Sequence, residues 1–383
     1  MEKYYFDYAS TTPADPQVIR AMEPYFFERF GNPSSPHTIG QEAKKALEDA
    51  RQTVADFLNA QPQEILFTSG GTESNNHATI GQGRARKSQG QHIIVSAIEH
   101  HSALRPVESL QKEGFQVSFL PVDRYGWLDP EQVICAVHDK TILIILLHAS
   151  NEIGTLQDIE AIGRFATERK MAFHVDAVQT VGHLPVDVQK IGCSTLSLSG
   201  HKLYGPKGIG ALYLRKGTPL TSFLLGGDQE QGRRASTQNV AGAVGLAKAV
   251  EICQSQMLEE AKLQRELRDR LIQKISTQIP DAILNGHPTR RLPNNAHFSF
   301  PGIDSESLLM SLDLAGICAS MGSACTSGVL KASHVLTAIG LSEELAFGSL
   351  RLSVGRWTRP DHIDYLSSIL PDTIRRLRKT ASI

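Results

Sequence analysis

Nine consecutive residues, TILIILLHA at 141–149, leave this chain few possible architectures. A strand that is apolar at nearly every position, rather than at alternate ones, must be covered on both faces. Shorter runs of the same character occur at Ile65–Thr68, Ile93–Ser96, Val117–Leu120, Ala172–Val175 and Thr195–Ser199. Helical patterns such as Gln41–Asn59, Asp129–Val137 and Leu156–Lys170 lie between several of them. This alternation predicts an α/β fold, with a mostly parallel central sheet flanked by helices. Gly208–Leu214 reads as one further, antiparallel strand. A long helical region follows from Val240 to about Ile279, with a change of direction expected near Gln256–Glu259. Beyond it come a strand near Ala296–Phe300, a helix at Ser305–Leu314, a Gly/Ser-rich loop, a strand at Ser349–Ser353 and a helix from Pro360. At roughly 150 residues per domain, this pattern places a large domain at 15–257 and a smaller α+β domain in 1–14 and 258–383.

Composition removes several function classes. Lys+Arg 39 against Asp+Glu 40 gives a net charge of −1, which offers no basic field for nucleic acid. The 41% hydrophobic content supports a sizeable core and excludes a disordered chain. Ile142–Leu147 falls far short of the ~20 residues a membrane helix needs, and MEKYYFDYAS carries no signal-peptide pattern. A soluble, cytoplasmic protein with no membrane partner is expected. Five cysteines without a CxxC pair argue against disulfides and structural zinc, so no metal site is expected. Cys135, Cys193, Cys253 and Cys318 read as small buried hydrophobes. Cys325, among the small turn-forming residues of MGSACTSG, reads as exposed and available for chemistry.

Ligands of such sheets gather at the carboxyl ends of the strands. After Ile65–Thr68 comes SGGTESNN, where Gly70 and Gly71 allow close backbone approach and Thr72 can cap a helix, leaving N–H groups for an anion. After Ala172–Val175 comes Asp176, whose buried carboxylate needs a cation or strong hydrogen bonds; Gln179 follows three residues later. A structural ion pair would meet that need equally well. After Thr195–Ser199 comes GHKLYGPKG, which brings His201 and Lys202 into the cleft. With apolar neighbours a lysine is desolvated, loses basicity and can condense with an aldehyde. An anion cradle, a carboxylate for a pyridinium nitrogen and an amine for an aldehyde together match pyridoxal 5'-phosphate.

The segments SGGTESNN, AIEHHSAL, HASNEIGT, HVDAVQ, SLSGHKLYGPKG, MGSACTSG and LRLSVGRWT stand in the order seen in cysteine desulfurases of the NifS/IscS type. The chain resembles that family from Phe6 to the region of Arg351. The resemblance implies a fold-type I pyridoxal-phosphate transferase, class V aminotransferase-like and homodimeric. In it Lys202 would hold the cofactor, Asp176 its pyridine nitrogen and Gln179 its phenolic oxygen. His100 would stack on the ring and move protons, with Asn151 supporting the ring and the substrate. Gly71, Thr72, Ser199 and His201 would bind the phosphate, and Thr237 would reach that of the neighbouring subunit. Arg351 would clamp the substrate carboxylate, with Asn32 on the substrate side. Cys325 would take sulfur from L-cysteine as a persulfide, release L-alanine, and pass the sulfur to an acceptor such as an iron–sulfur scaffold. It could also ligate an iron–sulfur cluster transiently. A thiolate is required, and His100 is the candidate base. An aminotransferase or a selenocysteine/cysteine lyase of the same fold remains an alternative, as does a non-catalytic scaffold; only the SACTSG loop and Arg351 favour cysteine. The sequence departs from the family at Met321, where serine is usual, and at Ala235-Ser236 before Thr237, where Ser-Gly is usual. After IRRLRK it ends at Ile383, leaving little of the extension that some members use for scaffold docking.

Overall fold

Thr141–Leu147 is the strand its sequence demands, with every side chain from Ile142 to Leu147 buried. In the computed structural model, which describes residues 3–322 and 332–381, it lies inside a seven-stranded sheet. The strands run across that sheet in the order Ile65–Thr68, Gly210–Leu214, Thr195–Ser199, Ala172–Asp176, Thr141–Leu147, His92–Ser96 and Gln116–Leu120. Gly210–Leu214 alone opposes the others, as expected. Strand alternation then divides the apolar residues between two layers. Ile144 and Leu146 pack with the helix Thr38–Leu58 and the start of Val240–Gln278, whereas Leu143 and Ile145 pack with the helix His101–Lys112. The register Leu147↔Asp176 and Asp176↔Ser197 brings the carboxyl ends of the inner strands level. That edge carries the site.

The long helix Val240–Gln278 continues through 256–259 without interruption, where a change of direction was expected. Residues 254–260, QSQMLEE, contain neither glycine nor proline, so nothing there breaks the ladder. Its Ala243, Leu246, Val250 and Cys253 belong to the core of the large sheet. Its Leu267, Leu271 and Ile275 belong to a second core with Phe298, Phe300, Leu350, Leu352 and Leu366. The second core backs an antiparallel sheet ordered Ser349–Ser353, Asn295–Ser299, Ile283–Asn285. The chain's start joins it: Tyr4–Tyr5 pairs with Ile317–Cys318, and Asp7 bridges to Ser353. Residues 7–10 therefore lie against the strand that carries Arg351.

Cys193 and Cys253 are buried as expected, but Cys135 is exposed and Cys318 only partly covered. Val133 is the buried residue of the helix Pro130–Ala136, and two positions further on a helical side chain points the other way. Cys325 lies outside the described residues. Among those described, no helix is long and apolar enough to cross a membrane, and no cluster of three or more His, Cys, Asp and Glu is arranged to hold a metal.

Candidate functional site

A cavity of about 520 Å³ opens where the inner strands end, within the usual size range for a small-molecule site. It gathers Gly71, Thr72, Ser199 and His201, which together also line a second opening and so mark one end, with Lys202, Asp176 and Gln179. His100, Asn151 and Arg351 complete its walls.

At the first end the helix Gly71–Ala85 begins immediately after its strand. The cap is Gly70, at φ 151°, and it contributes no side-chain oxygen to the first turn. Thr72 is thus the second helical residue rather than the cap. A Cβ at position 71 would stand 2.6 Å from Val178 Cγ2, so only glycine lets the helix start this close to the strand bearing Asp176. The first-turn N–H groups and the helix dipole face a cavity end lined by Ser199 and His201. Burial, then the charges of Lys202 and Lys207, pull His201 down to about 4, so its ring is neutral there.

Lys202 Nζ donates to the carbonyls of Ala9 and Ser10, each at 2.6 Å. Burial, and next the charge of Arg351, bring its pKa down to about 8, against the opposing pull of Asp7 and Asp176. Gln179 Nε2 donates to the same Ala9 carbonyl at 3.1 Å. A lysine lowered in this way condenses with an aldehyde faster as pH rises towards about 8 and then levels off, because the neutral amine is the reactive form. An ordinary lysine would still be gaining at pH 10. Stopped-flow uptake of an aldehyde between pH 6 and 10 checks this; a rate still climbing above pH 9 would contradict it.

Asp176 is 7% exposed. Its Oδ1 accepts from Val178 N at 3.0 Å and its Oδ2 from Asn75 Nδ2 at 2.6 Å. Among the described residues it forms no ion pair, so a carboxylate lining the cavity lacks a cation. The Asn75 amide orients a longer chain of bonds. Its Nδ2 also donates to Ser102 Oγ at 2.8 Å, and its Oδ1 lies 3.0 Å from His174 Nε2. Burial lowers His174 to about 3, so the ring is neutral and carries its proton on Nε2. Ser102 Oγ, accepting from Asn75, gives its own hydrogen to His100 Nδ1 at 2.7 Å, and Ser102 N donates to that same nitrogen. Nδ1 of His100 therefore accepts, and the neutral ring presents Nε2–H outward. Burial in the cleft, with the nearby Lys202, His101 and His334, holds His100 below its ordinary pKa, while Asp176 pulls it upward. A neutral His100 thus offers a donor rather than the lone pair a thiol would need.

Arg351, 2% exposed, has its guanidinium held on several sides. Nη2 donates to Asp7 Oδ1 at 2.7 Å and Ser10 Oγ at 2.6 Å, and Nη1 to the carbonyls of Asn151 at 2.9 Å and Gly322 at 3.3 Å. Both chain ends flanking 323–331 are pinned to the cavity. Met321 O accepts from His297 Nε2, and Gly322 O from Arg351. On the other side Ser333 Oγ donates to the buried Glu152 Oε2, and His334 Nε2 to the carbonyl of Glu99. Burial raises the Glu99 carboxyl well above its ordinary range.

Two expected residues stand apart from the cavity. Asn32 is exposed and accepts from Ser34 N within its own turn. Thr237 is also exposed, next to Ser236 at φ 93°, a value that explains why glycine is the usual residue there. The sequence reading had passed over Asn75, Ser102, Asp7, Ser10, Glu152 and His334, all on the cavity wall or in direct contact with it. Only Asn75 left a signal: it stands four residues after Gly71 and so on the same helical face.

The residues fit pyridoxal 5'-phosphate: an uncapped helix start for its phosphate, an ion-pair-free buried carboxylate for a pyridinium nitrogen, and a desolvated amine for the aldehyde. Residues 4–366 match the family described as Aminotransferase class-V. The chain is 48% identical to cysteine desulfurase IscS of Dictyoglomus turgidum over 374 residues, 98% of this chain and 95% of that protein. It is 47% identical to cysteine desulfurase IscS 1 of Archaeoglobus fulgidus over 379 residues, 99% of both. Among solved structures, a NifS-like protein matches with a TM-score of 0.90 at 34% identity, covering 99% of each chain. SspA in complex with cysteine matches with a TM-score of 0.83 at 36% identity, covering 93% of this chain and 100% of that one.

Proposed function

The chain belongs to the class-V aminotransferase family, and from that premise we propose that it is a pyridoxal-phosphate-dependent cysteine desulfurase. It converts L-cysteine to L-alanine and retains the sulfur on Cys325 as a persulfide. The observation that carries this reading is the meeting, in one cavity, of Lys202, Asp176 and Arg351 with both flanks of the Cys325 segment. Cys325 stands three positions beyond Gly322, a span of about 10 Å of chain at most.

When bound, pyridoxal phosphate supplies an electron-poor ring that takes up the electron pair left at the substrate Cα. Asp176 keeps a proton on the ring nitrogen, with Asn75 fixing the carboxylate. Lys202, whose amine is about half neutral near pH 8, accepts the Cα proton and can return it. The Cys325 thiolate attacks the substrate sulfur. An S–S bond forms and the substrate C–S bond breaks, its electron pair staying on Cβ, which gains a proton to become the alanine methyl group. His100, offering Nε2–H, suits the supply of that proton or the shielding of the ring face. Arg351 offers a planar cation to the substrate carboxylate in competition with Asp7.

Arg351→Ala should raise KM for cysteine by roughly a hundredfold, because a charged partner is removed from a buried site. Initial-rate kinetics test this, and an unchanged KM would remove Arg351 from substrate binding.

The two-lobe division into 15–257 and 1–14 with 258–383 belongs to the same reading, supported by the change of core along one helix between Cys253 and Leu267. So does a homodimer, in which Thr237 serves the neighbour's phosphate. Phe26, Phe27 and Phe30, at 67, 66 and 65% exposure close to Asn32, support a covered face. Delivery of sulfur to an iron–sulfur scaffold or other acceptor in the cytoplasm completes the proposal. Cysteine with a thiol reductant and no keto acid should give equal amounts of alanine and sulfide. Amino transfer that depends on an added keto acid, with no sulfide, would favour the aminotransferase alternative.

A further inference from the structure

Glu73 stands in the first turn of the helix Gly71–Ala85. It shares a second, smaller opening with Gly71, Thr72, Ser199 and His201, the four residues of the phosphate end. A carboxylate there favours the helix dipole but opposes any anion brought to the same N–H groups. The structure answers with Arg234. Its Nε lies 2.8 Å from Glu73 Oε1 and its Nη2 3.1 Å from Oε2, a two-pronged pair in which both side chains are largely covered. Burial works to raise the Glu73 carboxyl, but bonds from Arg234 and from Ser69 N hold it below its ordinary range.

The segment bearing Arg234 is itself fastened down. Glu230 and Gln231 take left-handed backbone conformations, at φ 49° and 60°, which turn the Glu230 side chain inward. Glu230 makes two bonds to Arg51, at 2.7 and 2.8 Å, and accepts from Phe67 N at 3.1 Å. Phe67 lies in the strand that runs directly into Gly70 and Gly71. One segment thus grips the strand before the cradle and the helix after it.

We infer that Arg234 is a positioning residue for the cofactor: it engages the Glu73 carboxylate and cancels its charge, so that the start of the helix Gly71–Ala85 can receive a phosphate. The inference rests on reading that end of the cavity as the phosphate site. Arg234→Ala frees a carboxylate beside the incoming anion and should weaken cofactor affinity about tenfold or more. Glu73→Gln removes the repulsion and should bind at least as tightly as wild type. The double variant Glu73→Gln with Arg234→Ala should recover most of the lost affinity, which a purely architectural role for Arg234 would not produce. Apoprotein is titrated with pyridoxal phosphate and followed by absorbance, with thermal melting recorded for each variant. Wild-type affinity in Arg234→Ala, or no recovery in the double variant, would overturn the inference while leaving the cofactor reading intact. A wild-type chain that takes up no cofactor would overturn both.

Discussion

Replacing Lys202 by alanine is expected to suppress alanine formation by roughly 10⁴-fold or more. It should also abolish the covalent attachment that gives such proteins their yellow colour. Among the described residues Lys202 is the only lysine on the cavity wall, and two backbone carbonyls hold its amine there rather than an acid pairing with it. No other described side chain on that wall can supply both a nucleophilic amine and a base near pH 8. Arginine at this position should not rescue activity, since its guanidinium stays protonated. Borohydride treatment followed by peptide mapping reads the attachment directly. Label found on another lysine would refute this assignment.

Cys325→Ala should remove sulfide and alanine formation by a comparable factor while leaving cofactor uptake and spectrum as in wild type. The separation of the two readouts carries the argument, because the proposed cofactor residues line the cavity from segments of the large sheet, whereas Cys325 falls in sequence between Ile317–Cys318 and His334–Ala338. Cys325→Ser should fare no better, as a hydroxyl neither ionises near neutrality nor accepts sulfur to form a persulfide. Undiminished alanine release in either variant would make the thiol a bystander and revive the aminotransferase alternative.

The sheet was legible because strands buried on both faces leave continuous apolar runs, and Thr141–Leu147 left the clearest of all. Much of the cavity lining was legible for a related reason: Gly71, Asp176, Ser199 and Lys202 stand at or just after the ends of strands, and a parallel sheet brings its carboxyl ends together whatever lies between them in sequence. Asp7, Ser10 and Glu152 were hidden because their places depend on tertiary docking of the chain's start and of the second core, which no local period announces. The tautomer of His100 was hidden more deeply, being set by a relay through Ser102, Asn75 and His174 drawn from separate elements. The uninterrupted helix Val240–Gln278 shows the opposite case. A change of direction was expected near Gln256–Glu259, yet with no glycine or proline at 254–260 the helix continues through that stretch.

Mass spectrometry of the intact protein after brief exposure to L-cysteine, with peptide mapping, addresses the sulfur-transfer claim itself. The expected result is the gain of one sulfur atom, removable by reductant and located on Cys325, with one alanine released per sulfur bound. Alanine release with Cys325 unmodified at every time point, or sulfur bound only to another cysteine, would contradict it.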